Sequence, residues 1–597
     1  MKKQVPIKYT ARDFESIKKE LVEYSKRYYP DTFSDFNKSS FGSLILDTVS
    51  YTGDVLSFYL DYQFNESMLN TALEFDNILK ISKQLGYKFS PVSTAYGFIT
   101  LFISVPAVET GIGPDTNYLP ILKKGTTFSS TGGQVFTLVA DVDFSNAQNE
   151  IVVANVDNTN GLPTSYAVKA FGVIQSGYFE EKIISIGDYK RFLKVDLEDR
   201  NALEITNVFD SDGNEYYEVD NLSQDVIFRE VPNNNAQADG VTSILKAFPV
   251  PRRYVLDRNR TTTYLQFGYG SEDELTTASV VEPSQNILQL HGRNYFTDQS
   301  FDPTNLIKTD KFGVAPSNTT LTIRYRKTNP TISNVAANTV TSIKNSKFTF
   351  PNINSTISSL RSSVRISLEC LNEQPIIGEI SLDAAEELRA NTISYYAAQN
   401  RAVSLLDYQA LIYAIPSNFG KIKRCSIHQD VNSFKRNLNI YVISEGQNGI
   451  LTQANDIIKT NLKTWLSQYK MINDTIDILD AIIINVGIDF NIISDSFYDR
   501  TDILNKALIT LQVLFNNRKY DIGESISIAE IYNTLNKLDG VIDTTSVVVT
   551  QKFGGFYSDN VIDLDAMTTF DGKSINAPKN VIYEVKFPAI DIKGTVS

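Results

Sequence analysis

The chain has 597 residues, too many for one hydrophobic core at roughly 100 to 200 residues per domain, and the length implies about three to five domains. Apolar residues make up 42% and charged residues 21%, with 34 Phe and 31 Tyr, so the chain carries enough core material to exclude global disorder. Lys and Arg number 56 against 69 Asp and Glu, a net charge of −13, and no segment gathers the basic residues into a track, so nucleic acid is not expected as a partner.

In chain order, the first 92 residues read as helices. Thr10 and Asp13 have the spacing of a helix-start capping box. Behind them Phe14, Ile17, Leu21, Tyr24 and Tyr28 recur every three or four residues, a seam that packs lengthwise on another helix. A second helix over about 42–64 has one stripe of Leu44, Thr48, Tyr51, Val55, Phe58 and Tyr62 and another of Ile45, Val49, Leu56 and Tyr59. A helix apolar around most of its circumference must be enclosed. Gly53 and Ser57 leave room for a neighbouring backbone. A third helix is expected from about Glu66 to Gly86. Together these helices hold more apolar surface than three helices can bury, which implies a partner bundle.

Residues 93–350 change to the strand period. Gly97 to Val105 alternates, Ile205 to Val219 reads as a hairpin around Asp212 and Gly213, and Thr261 to Tyr269 and Thr319 to Arg326 are further strands, so we expect two antiparallel β lobes. Over 351–430 the pattern is a helical linker, with a helix at 383–399 and a second capping box at Ser404 and Asp407. Residues 431–550 mix strands with amphipathic helices, one of them capped by Ser527 and Glu530, as in small α+β sandwiches. The polar segment 551–597 reads as an extended tail. The expected fold class is multidomain α+β.

Little in the chain suggests chemistry. His291 and His428 lie in strand-like contexts, without Cys, Asp or Glu at ligand spacing, so neither a zinc site nor a triad is expected. Asp210 to Asn214 resembles the start of a calcium loop, but Gly213 and Asn221 fall at the wrong positions, and an Asp-Gly turn explains it better. No cofactor, metal or catalytic residue is expected. Cys370 and Cys425 cannot form a disulfide framework, although one bridge between them stays open. The start of the chain lacks the pattern of an export signal, and the run 481–488 is far short of the roughly 18 to 20 residues that cross a bilayer, so no membrane partner is expected.

Three stretches then point to a family. Tyr9 to Ile17, Asn65 to Ala72 and Leu85 to Tyr87 together resemble the amino-terminal region of the baseplate J-like family of contractile phage tails and related injection machines. Gln399 to Tyr408 is similar to that family's Arg-Ala-Val-Thr-x-x-Asp-Tyr segment, with Ser404 in place of Thr. Ile522 to Ile526 and Leu538 to Val541 resemble its carboxyl-terminal domain.

Length and the β-rich middle look most like the large baseplate wedge subunits of T-even-type phages. The resemblance implies a non-enzymatic structural subunit, present twice in each wedge as a homodimer and joined between wedges into a ring around the hub, which rearranges when the sheath contracts. Two non-equivalent positions in a wedge imply hinges between the lobes, at about 90–95 and 350–380. It implies that the amino-terminal helices join a wedge-organising protein in a helical core bundle, with other wedge and hub-proximal proteins as further partners. Phe14, Ile17, Leu21, Tyr24, Tyr28, Val55 and Tyr62 would form that interface, and Arg401, Asp407, Tyr408, Gly523 and Gly540 would be structural. The implied location is the tail baseplate of the virion, after assembly in the host cytoplasm. A tail-associated glycan hydrolase, or a receptor-binding protein with its β lobes at the periphery, are the alternatives.

Overall fold

The computed structural model describes residues 12–31, 37, 40–108, 112–159, 161–233, 237, 240–271, 312–381, 384–430, 437–517 and 520–597. The chain divides into two units. The first runs through Phe89 and takes in most of a helix at Ala385–Ala398; the second holds the rest.

In the first unit, α1 (Phe14–Tyr28) starts at Asp13, whose carboxylate accepts the Ser16 amide at 3.1 Å. Thr10, expected to share this cap, lies outside the described residues. α2 (Phe41–Glu66) is capped by the Ser40 hydroxyl. The two helices run antiparallel: Arg12 pairs with Asp61 at 2.9 Å, Lys18 with Asp47 at 2.5 Å, and Ile17 lies against Gly53 between them.

The third helix starts later than the sequence pattern suggests. α3 spans Phe75–Gln84, and Glu66 ends α2. The Glu66 carboxylate accepts the amides of Leu73 at 2.7 Å and Glu74 at 3.2 Å and the side-chain amide of Asn77 at 3.0 Å, so the stretch between the helices is a turn tied to one buried acid. Ile78, Leu79 and Ser82 of α3 are buried with Leu388 and Thr392 of the helix Ala385–Ala398. The Thr392 hydroxyl donates to Ser82 Oγ at 2.9 Å, and Arg389 donates to the Ala72 carbonyl.

The second unit opens with two β lobes, as the alternating patterns require. The first lobe orders its strands Val340–Asn345, Thr127–Ser130, Val135–Leu138, Pro163–Ser176, Tyr96–Pro106 and Glu369–Leu371, with Glu150–Val156 added on Pro163–Ser176. Ile99, Leu101, Phe128, Phe136, Val168 and Ile174 fill its core. The second lobe is a seven-stranded sheet from Tyr178–Ile186 through Thr319–Lys327 to Lys194–Asp196. It contains the Ala202–Phe209 and Glu215–Glu218 hairpin, whose turn is held by Asp210 Oδ1 accepting the amides of Asp212 and Asn214. Arg326, fully buried, links the strands to the segment before the first lobe: it donates to Glu204, to the Ser176 carbonyl at 2.7 Å and to Thr94 Oγ1 at 3.0 Å.

The carboxyl-terminal part holds two small α+β layers, in line with the expected class. The apolar stretch from Ile476 to Ile493 serves both. Thr475–Asp480 pairs in parallel with Asn437–Glu445, and Ile482–Ser494 is the centre of the next sheet. The segment expected as an extended tail instead supplies Val581–Glu584 and Ile592–Val596, both pairing in parallel with Ile482–Ser494, with Ile582, Tyr583 and Ile592 buried. Gly594 permits this crossing, because a Cβ there would meet the Phe490 ring at 2.3 Å.

The stretch expected to hinge at 350–380 is tied down. Glu369–Leu371 pairs with Tyr96–Pro106, and Ile376 and Ile377 bridge to Val335 and Tyr96. Beyond it lies a buried polar joint. The Asn334 side chain donates to the carbonyls of Glu379 and Glu445, the Glu379 carboxylate accepts the Ser333 amide at 2.7 Å, and Lys423 pairs with Glu445 at 3.4 Å.

Candidate functional site

The amino-terminal hairpin carries the feature that ordinary folding does not account for. On α2, Ser43, Ser50, Gly53 and Ser57 are spaced 7, 3 and 4, which puts them on one face. That face packs on α1: Ser43 and Ser50 are buried, and a Cβ at Gly53 would meet Ile17 Cδ1 at 3.2 Å. Small residues thus let the two helices approach closely and leave the large ones elsewhere.

The large ones point away. Phe41, Leu44, Ile45, Val49, Tyr51, Leu56, Phe58, Tyr59, Leu60 and Phe64 are all exposed. At about 100 Å² each, they present on the order of 1,000 Å² of apolar surface, against the roughly 300–600 Å² of the largest patch on a typical monomer.

The polar groups of α2 are suited to an apolar environment. Thr48, Ser50 and Thr52 turn their hydroxyls back to the carbonyls of Leu44, Leu46 and Thr48 at 2.7–2.8 Å. Of its four carboxylates, Asp47 and Asp61 pair with α1 or its approach, and Glu66 is used in the turn. The helix contains no Lys or Arg.

Phe14, Ile17 and Leu21 are half-buried on the hairpin, so the first part of the expected seam is covered by this chain's own α2. Tyr24 and Tyr28 are exposed, their rings 4.7 Å apart. Val55 and Tyr62 are half-buried; Tyr62 stacks on Phe58 and donates to Glu74 at 3.3 Å. The expected interface drew on both helices, and among the described residues of the hairpin the large exposed apolar side chains lie mostly on α2. Gly53, read from the sequence as room for a neighbouring backbone, does face α1, and Ser43 and Ser50 extend that strip.

Two residues that the sequence reading did not single out hold this region together. The Asn77 side chain, the Leu73 amide and the charge of Arg389 keep the Glu66 carboxyl below its ordinary pKa against the effect of burial. Arg389 arrives from more than 300 residues away and ties to the Ala72 carbonyl.

The remaining motif residues sit in the second unit. Ser404 and Asp407 form the capping box of the helix Leu405–Tyr413. Burial acts to raise the Asp407 pKa, and the amides of Ser404 and Val403, the Ser404 hydroxyl and the charge of Arg401 outweigh it, so the carboxyl is held low. Tyr408 is fully buried and donates to Asp474 at 2.7 Å. Gly523 and Gly540 have φ of 83° and 94°, and a Cβ at Gly540 would also press on Ile503 and Tyr498. The three motifs are thus a cap, a buried hydrogen bond and two left-handed turns.

His428 lies on the strand Arg424–Gln429 with Ser426 Oγ 2.8 Å from its Nε2, and burial together with the charge of Lys579 holds the imidazole below its ordinary pKa. His291 lies outside the described residues. Cys370 and Cys425 are separate buried thiols, each pushed up by burial. Among the described residues no group of three or more His, Cys, Asp and Glu could hold a metal ion, and no helix is long and apolar enough to cross a membrane.

Residues 13–84, which contain the hairpin, the Glu66 turn and α3, match the family model described as bacteriophage baseplate protein, N-terminal domain. No curated protein matches the chain. Among solved structures, a chain in the cryo-EM structure of the anti-feeding prophage (AFP) baseplate is similar at 10% identity and a TM-score of 0.26, over 96% of this chain and 98% of that one. A chain of the type VI secretion system TssK-TssF-TssG baseplate subcomplex is similar at 9% identity and a TM-score of 0.25, over 72% of this chain and 96% of that one.

Proposed function

We propose that this protein is a structural subunit of a contractile phage tail baseplate, and that its amino-terminal hairpin is a docking element enclosed by helices of other subunits. The observation that carries this reading is the exposed apolar surface of α2 away from α1, within the stretch similar to baseplate amino-terminal domains. Interfaces between obligate partners are large and apolar, commonly about 2,000 Å² or more counting both sides, and a surface on the order of 1,000 Å² on one helix supplies one side of such a contact. Within the reading, the subunit belongs to a wedge, pairs with a second copy, and enters a ring that rearranges on contraction. The β lobes and the carboxyl-terminal layers contribute the contacts around the ring.

The test is co-purification of the full chain with the other baseplate proteins of the same phage. Replacing Leu56 and Leu60 with Asp places two carboxylates on the exposed face without touching the α1 side. We expect the variant to remain folded and to lose co-purification. Retention of every partner by the folded variant would remove the basis of the reading.

A further inference from the structure

The first β lobe has a second unusual surface, independent of the helices. The strand Glu150–Val156 pairs antiparallel with Pro163–Ser176, and all seven of its residues are exposed. Pro163–Ser176 is paired on its other side with Tyr96–Pro106 along nearly its whole length, so the sheet beneath is firmly built. Among the described residues no strand pairs with the outer edge of Glu150–Val156.

Free edges are ordinarily blunted by Lys, Pro, a short strand or a covering loop, because their unpaired amides and carbonyls recruit other strands. This edge carries Ile151, Val152, Val153 and Val156, all β-branched and exposed, with no Lys or Pro among its seven residues. Its irregularities fall at Asn155, which leaves Glu150 to Val153 as a regular template.

Charge selects the occupant. The strand is bracketed by Glu150 at its start and Asp157 just past its end. Lys169, which lies across from Glu150 on the neighbouring strand, is directed to Glu373 at 3.2 Å and over the Phe171 ring. A second copy added antiparallel about Val153 would set Glu150 of each copy opposite Val156 of the other and beside its Asp157, and a parallel in-register copy would set each acid against itself. Like charges directly opposite are destabilising in a sheet, and opposite charges are favourable.

We propose that the outer edge of Glu150–Val156 is a strand-addition site for an extended segment of another protein, β-branched or apolar at its centre and carrying Lys or Arg at both ends. Backbone pairing would supply the affinity and the acidic brackets the selection.

The probes are two capped octapeptides with the same Thr-Val-Thr-Val-Thr-Val centre, one with Lys at both ends and one with Glu, added to the full chain. We expect the Lys-ended peptide to bind about tenfold more tightly than the Glu-ended one, from two favourable end pairs replaced by two repulsive ones. It should also slow hydrogen exchange across residues 150–156. The double variant Glu150→Gln and Asp157→Asn keeps the strand and the Asp157 turn acceptor for Thr159, and it should abolish the preference. Equal affinities for the two peptides, slowing at another strand, or no slowing at all overturns the proposal. Concentration-dependent slowing across 150–156 without peptide also overturns it, in favour of a second copy.

Discussion

If α2 is built for foreign contact, a double substitution on its exposed stripe should spare the stability of the chain and abolish assembly. Tyr51 and Phe58 lie seven residues apart on one stripe and are 64% and 65% exposed. Each therefore presents about 130 Å² that a partner could cover, worth about 3 kcal/mol at roughly 25 cal/mol per Å². Replacing both with Ser should weaken partner binding by about 6 kcal/mol, or some four orders of magnitude in Kd, as an upper bound. Within the chain the same change removes little beyond the ring contacts of Phe58 with Tyr62 and Tyr59, about 1 kcal/mol each. Thermal unfolding followed by circular dichroism should therefore move by no more than a few degrees, while light scattering of mixtures with the partner subunit should show assembly lost. The reasoning is refuted by the converse pair of results: a variant that unfolds much earlier than the parent and still assembles would mean that the chain itself covers this stripe.

Three further outcomes follow from buried polar groups. Burial lifts Glu379 to about 7 against the opposing pull of the Ser333 amide. The folded state therefore favours the proton, and stability is full below about pH 4 and is lost as pH rises through about 7. Glu379→Gln should raise the unfolding temperature at pH 8, by up to about 3 kcal/mol of stability, and change it little at pH 4; equal effects at both would contradict this. Glu66 has the opposite sign: its depressed pKa stabilises the folded state above the ordinary carboxyl range and that contribution is lost as pH falls. Glu66→Gln should speed exchange of the Leu73 and Glu74 amides at neutral pH, and the difference from the parent should shrink in acid. Tyr408→Phe removes the donor to Asp474 inside the core and should cost about 1–3 kcal/mol, read from chemical denaturation.

Local patterns carried much of the fold. The strands at 96–106 and 319–327, the Asp-Gly hairpin and the caps at Ser404 and Ser527 were legible because each depends on residues within a few positions of one another. What was not legible depends on distance along the chain. Polar composition made 551–597 read as a tail, yet two short apolar strands in it find Ile482–Ser494 about a hundred residues upstream. Nothing local marks Arg326 as the meeting point of Glu204, Ser176 and Thr94, or Asn334 as the partner of Glu379 and Glu445. At the candidate interface the limit was different. A helix apolar nearly all round has no periodic signal for its inward face, and the choice is made by the small residues, which the apolar pattern does not weigh.

The same asymmetry explains how an α2 with so little cover of its own is held by this unit. The far end of the unit is closed: α3, the helix Ala385–Ala398 and the Glu66 turn bury one another and satisfy one another's polar groups. α2 is attached to that closed end through its last residue, and its 26 residues extend about 39 Å at 1.5 Å per residue. Among the described residues α1 is the one helix that packs along that length, and the two salt bridges between them are exposed or nearly so and worth little in isolation. Closure at one end fixes the direction of the helix, while the thin cover along its length leaves the contact energy to be gained on assembly. A fully self-covered α2 would have been more stable alone and would have had nothing to offer a partner. The distribution of small and large residues on this helix therefore trades stability of the free chain for affinity in the assembled one.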